Sequence, residues 1–160
     1  RSAIDAIPVG EVVSIERETF PGLLTAGRKL WAYKSESYWI DIGTPAAFLK
    51  ASFDLISGHF QSPAFTYSPD KIYVDPRAQI GANAQIGLGS SIGSAKIGVN
   101  VLVEKSIIGD EAVIGSGARI SASIIGDGVH VGEGSQLHGV VIAGAGVHLP
   151  PNSRQIGDIK

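Results

Sequence analysis

A chain of 160 residues is long enough for one or two domains with a buried core. It has no cysteine, which excludes disulfides and Cys-ligated zinc and permits a reducing compartment, so a cytoplasmic setting is expected. Thirteen basic against 15 acidic residues leave a net charge of −2, which gives no electrostatic footprint for nucleic acid or an anionic membrane.

No apolar run approaches the roughly 18 residues of a membrane span. The opening Arg1-Ser2-Ala3-Ile4-Asp5 lacks the apolar stretch of a signal peptide. It also lacks a methionine, so the chain reads as a piece of a longer protein or a trimmed one.

The first motif is Ser14-Ile15-Glu16-Arg17-Glu18-Thr19-Phe20-Pro21. Two short β-rich runs follow, Leu30–Lys34 and Tyr38–Ile42, with Ser35-Glu36-Ser37 as the turn between them. Strand alternation puts Tyr38, Ile40 and Ile42 on one side, and Trp39 and Asp41 on the other. Thr44-Pro45 then signals a helix, Thr44 as N-cap and Pro45 at the first helical position. Its apolar face holds Phe48, Leu49, Leu55 and Ile56, and it is predicted to end near Ser57 with Gly58 beyond.

Asp41 thus falls at the carboxyl end of a predicted strand, just before a helix N-terminus. Open α/β sheets place phosphate ligands there, and a carboxylate in that position can help hold a divalent cation. The alternative is that Asp41 only hydrogen-bonds its own turn. Lys50, further along the helix, carries no spacing signal that raises it above a surface lysine.

Composition then changes. All of the five Phe, four Tyr and two Trp precede residue 74, while 16 of the 21 glycines follow residue 80. The Ser- and Pro-bearing stretch 61–73 reads as a linker or cap. Beyond it, apolar anchors recur every five or six residues: Val74, Ile80, Ile86, Ile92, Ile97, Val103, Ile108, Ile114, Ile120, Ile125, Val131, Leu137 and Ile142. Glycine follows so many anchors that a helix is excluded. A triangular coil of parallel β accommodates the period, with three hexads per turn and three inward columns. Those columns are Val74/Ile92/Ile108/Ile125/Ile142, Ile80/Ile97/Ile114/Val131/Leu149 and Ile86/Val103/Ile120/Leu137. So narrow a prism has no room for aromatic rings. Pro150-Pro151 is expected to stop the last coil's edge from continuing.

This repeat resembles the left-handed hexapeptide-repeat β-helix family, and the left hand comes from that resemblance. The paired motifs, Ser14 to Pro21 and Tyr38-Trp39-Ile40-Asp41-Ile42-Gly43-Thr44-Pro45, resemble the end of the catalytic domain of sugar-nucleotide pyrophosphorylases. The similarity is greatest to mannose-1-phosphate guanylyltransferases, whose catalytic domain also precedes such a β-helix. The implied organisation is the end of an α/β nucleotidyltransferase domain over residues 1–60, a linker over 61–73 and a left-handed β-helix over 74–160.

The resemblance implies GTP and mannose 1-phosphate as partners and Mg2+ as cofactor, with Asp41 as a metal ligand. It places Glu16 and Gly43 with the substrates, without giving Glu16 a chemical role. The family's Gly-rich phosphate loop with Gly-Thr-Arg and a lysine is absent before Gly43, so this chain alone is expected to be inactive and to mediate homo-oligomer assembly. The alternatives are a glucose-1-phosphate nucleotidyltransferase or a hexapeptide-repeat acyltransferase with His130, His138 or His148 as general base. Asp110 and Asp127 occupy identical coil positions, as a cation ladder or as solvated corner residues. Lys105 reads as a surface lysine.

Overall fold

The computed structural model describes residues 4–5, 7–144 and 146–159; Arg1 to Ala3, part of the opening run weighed as a signal peptide, lie outside them. The chain forms two compact units, Arg1–Ser37 and Tyr38–Lys160. Residues 38–60, which the resemblance groups with residues 1–37, lie by their contacts in the unit that carries the β-helix.

The first unit holds a π-helical turn, Ile15–Thr19, running into helix α1, Phe20–Thr25. Ser14 starts it reciprocally: its Oγ accepts from Arg17 N at 3.2 Å, and its own N–H donates to Glu18 Oε1 at 3.0 Å. Leu23 is the one side chain of the two short helices that is buried.

In the second unit, helix α2 spans Pro45–Ile56 with the predicted ends. Thr44 Oγ1 accepts from Ala47 N at 3.2 Å, and Gly58 turns the chain away with φ +73°. Neither predicted strand before it forms: residues 30–34 and 38–42 are extended or bent, without a ladder. A strand needs a neighbour for its N–H and C=O groups, and no pairing to these residues occurs among the described residues. Trp31, Tyr33 and Trp39 are correspondingly exposed, at 90%, 94% and 81%.

The remainder is a parallel β-helix of three five-stranded sheets, consistent with the left-handed class. The first sheet stacks β1 (Tyr73–Val74), β4 (Ser91–Ile92), β7 (Ile107–Ile108), β10 (Ile124–Ile125) and β13 (Val141–Ile142). The second stacks β2 (Gln79–Ile80), β5 (Lys96–Ile97), β8 (Val113–Ile114), β11 (His130–Val131) and β14 (His148–Leu149). The third stacks β3 (Gln85–Ile86), β6 (Leu102–Glu104), β9 (Arg119–Ser121), β12 (Gln136–His138) and β15 (Arg154–Ile156). The three predicted columns are the in-register partners of these sheets.

One expectation is corrected here. Pro150 and Pro151 form a corner rather than a stop, and the chain adds β15 against β12, with Gln155 opposite Leu137. A proline at a corner lacks only an N–H that the ladder does not need.

A second inward column, two residues before each anchor, completes the core. Ser90, Ser106 and Ser123 line one sheet and Ala95 and Ala112 another, all at 0% exposure. Ser106 Oγ donates to Glu104 O (2.7 Å) and accepts from Ser123 N (3.1 Å), and Ser123 Oγ does the same with Ser121 O (2.7 Å) and Val140 N (3.2 Å). These two satisfy backbone groups where the chain bends, whereas the buried Ser90 Oγ has no such partner among the described residues. The glycine after an anchor is required by coil spacing: a Cβ on Gly98 would stand 2.7 Å from Ser116 N of the next coil.

Candidate functional site

Helix α2 lies against one corner of the β-helix, where Gly89, Lys105, Ala122 and Gly139 all take positive φ. A Cβ on Gly89 would stand 3.2 Å from the Phe53 ring, and Ala46 and Leu49 line a groove of about 260 Å³ with Ala122, His138 and Gly139. The corner offers only backbone and small side chains over much of its length, which lets a helix approach closely. The helix in turn positions the segment that precedes it.

Asp41 sits in that segment, exposed, with Oδ1 accepting the N–H of Gly43 at 3.1 Å. This is an Asx turn, the local hydrogen bond weighed as the alternative to cation binding. It uses one carboxylate oxygen and leaves Oδ2 without a hydrogen bond among the described residues. Oδ2 is a hard oxygen donor of the type Mg2+ takes, commonly from one or two carboxylates with water completing the shell. The donor set fits such an ion in part, because no group of three or more His, Asp or Glu among the described residues converges on a common point. Gly43 belongs to the same turn: a Cβ there would press to 3.3 Å from Asp41 Oδ1.

Behind the turn stands a polar cluster that sequence reasoning missed. Asp54, on the third turn of α2, is 6% exposed. Its Oδ2 accepts the Tyr38 hydroxyl at 2.6 Å and also pairs with Lys50. The Tyr38 ring stacks on Phe60 at 4.6 Å and meets His59 edge-on at 5.8 Å. Burial would raise the Asp54 carboxyl, but the hydrogen bonds from Lys50 and Tyr38 outweigh it and hold the group below its ordinary value. The Tyr38 hydroxyl, donating to that carboxylate, is pushed up to about 12. The i,i+4 spacing of Lys50 and Asp54 was a signal in the sequence for the pair; nothing local announced Tyr38.

The other candidates are dispersed. Glu16 is exposed on the π-helical turn of the first unit; the capping partner of Ser14 is Glu18. His130 and His148 point outward on neighbouring strands, their rings 4.2 Å apart, and His138 Nδ1 lies 2.8 Å from Ser121 Oγ. Asp110 and Asp127 do stack, each accepting a backbone N–H from the coil before it, Ser94 N and Asp110 N, both at 2.8 Å. Each thus caps a corner through one carboxylate oxygen.

Residues 69–154 match the family model described as the GMPPB C-terminal domain. The chain is 38% identical, over 69% of its length, to a mannose-1-phosphate guanylyltransferase of Mycobacterium tuberculosis. It is 31% identical over 51% of its length to a mannose-1-phosphate guanyltransferase of Neurospora crassa. It is also 33% identical over 40% of its length to a glucose-1-phosphate adenylyltransferase of Acetivibrio thermocellus. These matches cover 31%, 24% and 17% of the three relatives, so the chain spans less than a third of each. Since the family match takes in more than half of the chain and the β-helix up to the start of its last strand, the chain belongs to the GMPPB C-terminal domain family.

Proposed function

We propose that this chain is the C-terminal portion of a mannose-1-phosphate guanylyltransferase, the parent enzyme joining GTP and mannose 1-phosphate to give GDP-mannose and pyrophosphate. In that reaction a sugar-phosphate oxygen attacks the α-phosphorus and pyrophosphate departs. The reading is carried by the Asp41-Ile42-Gly43-Thr44-Pro45 turn at the start of α2, immediately ahead of the β-helix. Asp41 contributes a hard oxygen to a Mg2+ site whose other ligands come from outside the residues described. When bound there, the ion supplies charge neutralisation on the phosphate oxygens. Gly43 gives the turn its tight approach, and Glu16 is assigned with it to substrate binding.

Replacing Asp41 with Asn in the parent enzyme is expected to lower turnover by about 10²-fold or more, the size of effect that loss of one electrostatic group produces. Near-normal turnover at all Mg2+ concentrations would refute the assignment. Coupled assays of GTP against ATP, and of mannose against glucose 1-phosphate, separate this reading from the adenylyltransferase alternative.

We further assign the β-helix an assembly role: its flat faces offer surface for isologous pairing between copies. Sedimentation should find a homo-oligomer, and a monomer at high concentration would rule that role out. No helix of the described residues is long and apolar enough to cross a membrane.

A further inference from the structure

The buried Asp54 carboxylate takes no direct part in the proposed chemistry, yet it is the most enclosed charged group among the described residues. Its two partners define what it does. Lys50 comes from the same helix, one turn earlier, and is itself 60% exposed. Tyr38 comes from the other end of the segment that carries Asp41. That segment is therefore fastened to α2 twice. At residue 44 the Thr44 side chain caps the helix, and at residue 38 the tyrosine hydroxyl binds its third turn.

The lengths match such a strap. Ten helical residues from Thr44 to Asp54 rise about 15 Å. Six residues from Tyr38 to Thr44 reach at most about 20 Å. The strap therefore spans the distance with the Tyr38 side chain as its bridge, and the pins at its two ends limit how far its middle can move. Asp41 sits at its midpoint. Ring stacking of Tyr38 on Phe60 holds the far anchor from a second direction.

We propose that Tyr38 and Asp54 are positioning residues that hold the Asp41 turn beside α2, so that its free carboxylate oxygen is presented in one place to a divalent cation. Neither touches the ion. Because α2 also lies on the β-helix corner, the cation-binding turn takes its rigidity from the coils beneath the helix. The cation part of this inference rests on the role given to Asp41 above; the mechanical part does not.

Two measurements test the two parts. In this chain, 15N relaxation is expected to give rigid order parameters of about 0.85 at Asp41 and Gly43, falling below about 0.6 in Tyr38→Ala. Tyr38→Phe, which keeps the ring stack, should fall between them. The amide spectrum of Ile108 and Ile125 should stay unchanged, which establishes that the coils remain folded. Unchanged order parameters in Tyr38→Ala would overturn the strap. In the parent enzyme, electron paramagnetic resonance should show Mn2+ bound about tenfold more weakly in Tyr38→Ala, with near-normal turnover recovered at high Mn2+. A residue with a purely structural role would lower the melting temperature and leave Mn2+ affinity alone, and that result would overturn the positioning role. If Asp41→Asn binds Mn2+ as tightly as wild type, the metal assignment itself fails, while the relaxation data still decide the strap.

Discussion

Asp54 lies on the side of α2 opposite the apolar face predicted from Phe48, Leu49, Leu55 and Ile56, where periodicity calls for a solvated residue, yet it is buried. A buried carboxylate is tolerated only when hydrogen bonds replace its lost hydration, and Tyr38 and Lys50 supply two. Asp54→Asn keeps the shape but removes the charge that both donors address, and should cost roughly 1–3 kcal/mol of stability near neutral pH. Its pH dependence follows from the lowered folded value. The contribution is complete above the ordinary carboxyl value near 3.9, and drains away as pH falls through the folded value below it. Urea midpoints of wild type and Asp54→Asn should therefore differ at pH 7 and converge as the solution is acidified below about pH 4. A constant gap across that range would contradict the linkage. Asp75 behaves in the same direction, its carboxyl held at about 2 by hydrogen bonds from Arg77.

Among elements, legibility depended on whether a signal is local. The cap and proline of α2 were readable because Thr44 and Pro45 act within one turn of their own position. The anchors were readable because a β-branched residue every five or six positions admits few other folds. The runs 30–34 and 38–42 misled, because β propensity states only that residues suit a half-buried pleat and cannot supply a neighbouring strand. Tyr38–Asp54 was invisible for the same reason: sixteen residues separate partners that only the docking of α2 brings together. The glycines divide likewise into two roles that share one letter. Gly98 has ordinary φ, but a Cβ would stand 2.7 Å from Ser116 N and 2.8 Å from Ile114 O. Gly117 has open space around its missing Cβ but φ +71°. Gly117→Ala should lose about 1–2 kcal/mol to left-handed strain. Gly98→Ala forces two coils apart and should lose more, about 3 kcal/mol at the upper end of overpacking costs. Equal thermal shifts for the two variants would mean that coil spacing is less constrained than the backbone contacts indicate.

At the scale of the whole molecule, the β-helix is a stack in which each coil bonds only to its neighbours, so stability is a sum of nearest-neighbour interfaces. Coils in the middle have two interfaces, and the first and the last have one each. The outer members of the anchor columns show the difference: Ile125 is fully enclosed, whereas Ile142 in the same column is 8% exposed and Leu149 is only partly buried. Opening should therefore proceed from both ends inward, at the first coil, where Ile80 is 43% exposed, as well as at the last. The amides of His130 and Gln136 donate to Val147 and Ser153 of that coil, whereas those of Lys96 and Leu102 donate to Ala112 and Ala118 near the centre. Native-state hydrogen exchange should release His130 and Gln136 first, and protect Lys96 and Leu102 up to an opening energy closer to that of global unfolding. Uniform exchange across the four amides would mean that the coils unfold as one cooperative block. In that case the coils under Gly139, where the N-terminal end of α2 rests, would be as firm as those under Gly89. The gradient, if found, puts the start of α2 and its Asp41 turn over coils that open readily, so the Thr44 cap and the Tyr38–Asp54 hydrogen bond, both made within residues 38–54, are what keep the turn against the helix when those coils loosen.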